Sequence, residues 1–318
     1  MGLGLVVSVA SIEVVLPTYN GVLYLEAQID SIYNQTVRPE RLLLRDDGSS
    51  DGTQELISEL QNCYGAWLHV LPADGKLGCI ANVNQLLEAT TGLYVALADQ
   101  DDLWMPEKLE RSLVLMKQLE ACHGTSTPLL VHSDLELVDK DGAPLGFSYL
   151  KRQRLNPLRT APVDLALTNV VTGCTVLVNR ALLEKALPIP TKALMHDWWL
   201  ALVASVFGRI ELLPRPTVQY RQHGANLLGA QGLGRRYWSS RFIQHLPRSG
   251  RESVLFAVAD QVSYFENRYG LVVSRLPIVL MLPRRLRLPE LLRLGQMKHG
   301  LQRSLFTFLL CLLLPRRT

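Results

Sequence analysis

Three carboxylates within four residues, Asp99, Asp101 and Asp102, follow the apolar run Tyr94-Val95-Ala96-Leu97-Ala98. Like charges crowded at the edge of a core repel unless a cation or strong donors neutralise them, and an all-oxygen donor set suits Mg2+ or Mn2+. An Asp-rich loop capping the next helix is the plainer reading of the same residues. A second polar run, Arg45-Asp46-Asp47-Gly48-Ser49-Ser50-Asp51-Gly52, joins acceptor side chains to glycines that let the backbone turn tightly beside a flat ligand. A carboxylate there can accept the imide N–H of uracil or thymine, or the run simply caps a helix. Asp197 opens an aromatic-rich helical stretch, where it reads as the N-cap of a helix running to Phe207.

The elements that must position these residues are legible as alternating signals. Short apolar runs bounded by turn residues at Ile12 to Leu16, Leu42 to Leu44, Trp67 to Leu71 and Tyr94 to Ala98 predict strands. Helical spacing predicts helices over Leu23 to Tyr33, Thr53 to Leu60, Ile80 to Leu87 and Glu107 to Leu119, the last entered through Pro106. Strand alternating with helix implies right-handed crossovers and a mainly parallel sheet covered on both faces. Ligands of such sheets sit beyond the carboxyl ends of the strands, which is where Pro17-Thr18-Tyr19-Asn20, the Asp46 run and the Asp99 run all fall. Further on, Leu129 to Val138 and Thr172 to Asn179 read as strands, Arg180 to Ala186 and Asp197 to Phe207 as helices, and Ile210 to Leu213 and Thr217 to Arg221 as two more strands.

Composition bounds the remaining possibilities. The chain has 318 residues, 48% apolar and 19% charged, enough for a large folded core and too apolar for disorder. Its five cysteines are far apart with no CxxC pair, arguing against a zinc site or a disulfide framework and for a reducing compartment. The apolar start, Met1 to Ile12, lacks the basic beginning and cleavage site of a signal peptide and is expected to belong to the fold. The longest apolar tract, Leu305 to Leu314, is about half of the ~20 residues that a membrane-crossing helix needs. The net charge of +4 conceals an asymmetry: residues 227–318 carry 15 Lys and Arg against 4 acids, and residues 1–226 carry 18 against 25.

In its order of motifs the chain resembles the family 2 inverting glycosyltransferases of GT-A fold. The matching residues are Val15-Leu16-Pro17-Thr18-Tyr19-Asn20, Ser31-Ile32-Tyr33-Asn34-Gln35-Thr36, Asp46 through Thr53, Leu97 through Trp104, Thr172-Gly173-Cys174, Met195-His196-Asp197-Trp198-Trp199 and Tyr220 through Asn226. The resemblance implies a mixed, mainly parallel α/β sheet flanked by helices over residues 1–226, followed by a basic, mainly helical extension over 227–318. It implies that Pro17, Thr18, Tyr19, Asn20, Asp46 and Asp47 border the nucleotide, one of the two aspartates contacting the base. Asp99 and Gln100 would face the ribose, and Arg221 and Asn226 the phosphates. Asp101, with His223, would ligate Mg2+ or Mn2+; for His223 alone a surface loop is the plainer reading. Asp197 would be the base, and Gly173, His196, Trp198 and Trp199 would border the donor and acceptor sugars, at least one tryptophan being core. The family usually has Glu-Asp where this chain has His196-Asp197, which bears on how the preceding residue meets the acceptor.

With Gln28-Ile29-Asp30-Ser31 and His132-Ser133-Asp134-Leu135, the pattern resembles rhamnosyltransferases of bacterial surface polysaccharide. That implies transfer of L-rhamnose from dTDP-rhamnose to a glycan or lipid-linked acceptor, with a UDP-sugar donor, or a sugar-binding scaffold on the same fold, as the alternatives. The scaffold reading expects loss of the key aspartates, yet Asp99, Asp101 and Asp197 are all present. Basic segments such as Arg284-Arg285-Leu286-Arg287 suit an anionic membrane surface, which implies a cytoplasmic, peripheral protein; a helical subdomain or dimer contact is the rival account. No nucleic-acid module accompanies the arginines, and Pro17-Thr18-Tyr19-Asn20-Gly21 is not the GxGxxG of a dehydrogenase.

Overall fold

The computed structural model describes residues 11–73, 75–222 and 252–273. Strands β1 (Ile12–Thr18), β2 (Arg41–Asp46), β3 (Leu68–Val70) and β4 (Tyr94–Leu97) alternate with helices α1 (Leu25–Tyr33), α2 (Thr53–Tyr64) and α3 (Cys79–Glu88). The four strands pair in parallel in the order β3-β2-β1-β4. Then follow β5 (Leu103–Trp104), α4 (Lys108–His123), β6 (Leu129–Val138), β7 (Pro144–Ser148), α5 (Tyr149–Arg152), α6 (Pro162–Leu165) and β8 (Leu177–Asn179). After these come α7 (Arg180–Ala186), α8 (His196–Phe207), β9 (Arg209–Arg221) and α9 (Glu252–Tyr269). β8 inserts antiparallel between β4 and β6, and β9 runs parallel to β6 while holding β5 antiparallel on its far side. The sheet is therefore mixed, with its parallel half first in sequence.

Side chains alternate across the strands with period two, and both faces are buried. Val14, Leu16, Leu42, Leu44 and Ala96 face a core closed by α1, α2 and α4, whereas Val15, Leu43, Val95 and Leu97 face one closed by α3, α7 and α8. Every parallel strand consequently ends at one edge of the molecule, and the loops after β1, β2 and β4 meet there.

Two expected elements differ. Thr172 to Asn179 is not one strand: residues Gly173–Thr175 form a 3-10 turn before β8. Conversely, the two late strands are one, β9, running through Pro214 and Pro216 with its register against β6 shifting between Ser133 and Leu135. Proline lacks the N–H that a ladder needs, so the pairing slips without the strand ending.

α9 comes from the segment assigned to the extension, yet it packs into the second core. Phe265 is wholly buried against it, Gln261 Oε1 accepts the Leu194 N–H at 2.8 Å, and Arg268 donates to the carbonyls of Leu187 and Pro188 at 2.7 Å each. The division at residue 226 thus does not coincide with an edge of the core. Phe265→Ala is expected to cost ~3–5 kcal/mol, read by guanidinium unfolding of the full chain; a loss under ~1 kcal/mol would mean that α9 is not part of this core. The rest of the basic extension and the first ten residues lie outside the described residues.

Candidate active site

The loop after β1 is locked to the other two by side-chain amides and hydroxyls. Gln100 Oε1 accepts from Thr18 Oγ1 at 2.5 Å and from the Tyr19 N–H at 2.9 Å, while its Nε2 donates to the Tyr19 carbonyl at 3.1 Å. Asn20 takes a positive φ of 51°, donates its N–H to Ser49 Oγ at 2.8 Å and accepts the Ser50 N–H at 3.0 Å. Asparagine tolerates that left-handed conformation, so the pin between the loops after β1 and β2 is built from local chemistry. Gln100 and Asn20, expected to touch the donor, act here as ties that hold the rim. Tyr19 remains 42% exposed, with Lys76 Nζ 3.7 Å from its ring centroid, and offers a flat face beside a cation.

Both aspartates after β2 are engaged by the protein itself. Asp46 accepts from the N–H groups of Gly48 and Ser49, from Ser49 Oγ and from Gln54 Nε2. Asp47 accepts the N–H groups of Leu77 and Gly78 at 2.7 and 2.8 Å and pairs with the buried Arg45 guanidinium at 3.2 Å. Asp46 shapes its own turn and Asp47 holds the 75–78 loop. Gly48, at φ +81°, supplies the left-handed residue on which the turn depends.

Beyond β4, Asp99 and Asp101 are partly exposed and Asp102 is wholly buried. Asp99, Asp102 and the buried Cys174 each offer a ligand atom within 4.8 Å of the others, so the described metal-capable cluster includes Asp102 and Cys174 and not Asp101. His223 and Asn226 lie outside the described residues, and with them the expected pairing of Asp101 and His223. Burial, then the charges of Asp101 and Asp197, push the Asp99 carboxyl up to about 7. Burial and the charges of Asp101 and Asp99 also raise Asp102 well above the carboxylate range. Carboxylates so crowded fit a divalent cation with oxygen ligands. Cation binding at Asp99 must displace its proton, so the Mn2+ concentration for half-maximal binding is expected to rise ~10-fold from pH 8 to pH 6. Calorimetric titration at the two pH values checks this.

Asp197 faces this loop from α8. Its charge acts on Asp99, and the Cys79 thiol at the start of α3 lies within electrostatic reach of Asp47, Asp99 and Asp197 together. One locus therefore gathers carboxylates from β2, β4 and α8. Asp197 is not the N-cap, a place held by Met195; it lies in the first turn, where Oδ1 accepts the Trp198 N–H at 2.6 Å and Oδ2 the Gly173 N–H at 2.9 Å. Burial raises its pKa, and His196 and the two N–H groups pull against that shift. A Cβ at Gly173 would stand 2.9 Å from His196 Nε2 and 3.6 Å from Asp197 Oδ2, so the absent side chain is what lets the 3-10 turn approach the carboxylate. His196 is buried, and its pKa is lowered by that burial, so it is neutral at pH 7.

Other expected site residues are engaged by the protein itself. Trp199 is wholly enclosed, donates to the Ala186 carbonyl at 2.9 Å and packs on Phe265 and Tyr269 of α9; it belongs to the core and lines no sugar pocket. Trp198 is half-buried, its ring N–H donating to the Leu165 carbonyl at 2.6 Å. Arg221 is 7% exposed and bonds the carbonyls of Asp101 and Lys140 at 3.2 and 2.9 Å, so its guanidinium ties loops together. Lys108, unmarked in the sequence because a lysine at a helix start reads as solvated, is buried with its Nζ 4.6 Å from the Trp104 ring centroid. A groove of about 320 Å³ bordered by Glu107, Arg111, Glu136 and Arg215 contains none of the expected site residues.

Strand-end loops that converge on a cation-seeking acidic cluster, opposite an enclosed aspartate on a helix, define a GT-A α/β protein. The chain belongs to glycosyl transferase family 2, whose family model matches residues 13–185. It is 28% identical over 279 residues to the dTDP-rhamnosyl transferase RfbG of Shigella flexneri, covering 80% of this chain and 88% of that one. It is 29% identical over 170 residues to TuaG of Bacillus subtilis (strain 168), named for teichuronic acid biosynthesis, covering 53% of this chain. The chain spans 62% of that relative's length. Among solved structures, Staphylococcus aureus TarS 1-349 in complex with UDP-GlcNAc superposes with a TM-score of 0.53 at 14% identity, over 95% of this chain and 88% of TarS. The mannosyltransferase PcManGT of Pyrobaculum calidifontis, in complex with GDP-Man and Mn2+, gives 0.51 at 16% identity, over 93% of this chain and 73% of its own. At these identities the likeness is one of fold.

Proposed function

We propose that this protein is an inverting glycosyltransferase of bacterial polysaccharide synthesis, transferring a sugar from a nucleoside diphosphate to a hydroxyl of a glycan or lipid-linked acceptor. The observation that carries the reading is the approach of Asp197 to the loop after β4: the Gly173 N–H donates to Asp197 Oδ2 at 2.9 Å, and the thiol of the next residue, Cys174, lies within 4.8 Å of carboxylate oxygens of Asp99 and Asp102. Asp99 and Asp101 would hold the cation. When bound, it supplies the Lewis-acid neutralisation that a departing diphosphate requires. The Tyr19 face and the loops after β1 and β2 border the base. Asp197 takes the acceptor hydroxyl's proton as the oxygen attacks the anomeric carbon; the bond to the diphosphate oxygen breaks on the opposite side, and the configuration inverts. The Gly173 and Trp198 N–H groups orient its carboxylate, and burial holds its pKa nearer to neutrality, where a base works best.

The donor favoured is dTDP-rhamnose, supported by the dTDP-rhamnosyl transfer for which RfbG is named together with the chain's own His196-Asp197-Trp198-Trp199 run. UDP-sugars are the second reading, favoured by the UDP-GlcNAc complex of TarS. No helix among the described residues is long and apolar enough to cross a membrane. The basic extension remains our candidate for contact with an anionic bilayer on the cytoplasmic side. A panel of dTDP-rhamnose, UDP-sugars and GDP-mannose, read by thermal shift with and without Mn2+, tests the donor: a ligand held only by the native state raises its midpoint. A shift with dTDP-rhamnose and none with the UDP-sugars is expected. The reverse would install the second reading, and no response to any nucleotide sugar would sink both.

A further inference from the structure

We propose that the groove between the start of α4 and the middle of β9 is a second binding site, for a monoanionic sugar unit of the acceptor glycan. The inference rests on the reading of the acceptor as a glycan, and adds where a segment of it is held away from the reacting hydroxyl. The groove has a volume of about 320 Å³, and none of Asp99, Asp101 and Asp197 lines it. Its two walls are joined at the floor. The Met105 N–H donates to the Thr217 carbonyl at 2.9 Å, Thr217 Oγ1 lies 2.7 Å from Ser133 Oγ, and Gln35 Nε2 donates to the Met105 carbonyl at 2.9 Å. One wall is α4, where Lys108 and Arg111, three residues apart, share a face. The other is a bulge: β9 pairs with Ser133 at Leu213 and with Leu135 at Val218, so that residues 214–217 stand against Asp134 alone. Bulges re-aim side chains, and the one presented here is Arg215, set between Pro214 and Pro216, of which the second holds it to extended conformations.

Three cations, Lys108, Arg111 and Arg215, and two carboxylates, Glu107 and Glu136, line the groove. The ion pairs among the described residues all lie elsewhere, and the side chains of Arg111, Arg215, Glu107 and Glu136 form no hydrogen bond there either. Opposite charges that border one cavity without meeting keep their hydrogen-bonding capacity for water or an occupant. A guanidinium fork matches the two oxygens of an acid group, and carboxylates accept from hydroxyls. Met105 and Pro216 add apolar surface for the C–H face of a ring. Lys108 is 1% exposed, and its ammonium has no hydrogen-bond partner among the described residues. A charge so buried is screened less than one in water, so it favours an anion in the groove without touching it. Three positive charges less two negative leave one positive charge, which suits one acid group per sugar unit.

The test measures binding of three probes to the full chain by saturation-transfer NMR, with no donor present: tetragalacturonate, a glycerol phosphate oligomer and neutral maltotetraose. At least one acidic oligomer is expected to bind, and which one does so names the acid as carboxylate or phosphodiester. Maltotetraose should bind ~10-fold or more weakly, and Arg111→Gln and Arg215→Gln should each weaken the acidic probe by a similar factor, as loss of a charged hydrogen bond does. Arg215 is exposed, so its variant carries the test if Arg111→Gln does not fold. Added UDP and Mn2+ should leave the binding unchanged, because the groove shares no residue with the donor site. No binding of either acidic probe, wild-type binding in the variants, or displacement by UDP and Mn2+ would overturn the proposal. A transfer assay on the wild-type chain separates the two levels: transfer without oligomer binding refutes the groove alone, and oligomer binding without transfer to any acceptor refutes the parent reading.

Discussion

Replacing Asp197 by Asn should lower transfer ~10²–10⁴-fold while leaving nucleotide binding unchanged, since the carboxamide keeps the shape but cannot accept the acceptor's proton. The environment makes the variant informative. The Asp197 carboxylate already accepts the Gly173 and Trp198 N–H groups, and a carboxamide retains only one oxygen, so one of these donors loses its partner. A modest fall in the thermal midpoint is therefore expected beside the catalytic loss. Single-turnover transfer with donor pre-bound separates the effects: normal donor affinity with a collapsed chemical rate supports the base, and a rate near that of wild type removes Asp197 from the mechanism. The pH profile gives an independent check. Because burial raises the Asp197 pKa, the acidic limb of kcat/KM should lie above the ordinary carboxylate range and vanish in the variant.

The second large effect is expected at Asp101. Asp101→Asn removes one charge from a partly exposed site whose main chain is already held by Arg221, so the fold should survive. Loss of one preorganised electrostatic group in a water-poor site typically costs ~10²–10³-fold in rate. The same variant should relax Asp99, whose pKa is raised by burial and then by Asp101, back toward the carboxylate range. Activity titrated with Mn2+, and its loss on chelation, reads the first effect; the pH dependence of residual Mn2+ binding reads the second. Full activity in Asp101→Asn after exhaustive chelation would mean that no cation is needed.

Much of this was legible before any coordinates. Short, nearly continuous apolar runs at Ile12, Leu42 and Tyr94 became parallel strands because burial on both faces selects short, apolar segments, and that pattern is local. The shared edge of the polar loops after β1, β2 and β4 followed from the crossover rule alone. The two strands expected at Ile210 to Leu213 and Thr217 to Arg221 are one, since pairing with the long β6 carries the chain past Pro214 and Pro216.

What the tertiary structure decided is which polar group serves which partner. Asp46, Asp47, Asn20 and Gln100 are all the right chemistry for a nucleotide, yet each is already bound within the protein, Asp46 to its own turn and the other three to another loop. Trp198 and Trp199 are adjacent and identical in type, and the helix turn alone sends one into the core against α9. Lys108 looked like a solvated helix start and is buried, while Arg221 looked like a phosphate ligand and clamps a residue 120 positions away. Residue type and local spacing determine which elements form and what chemistry is on offer. The allocation of each charge depends on contacts between strands and loops remote in sequence, and only packing sets those.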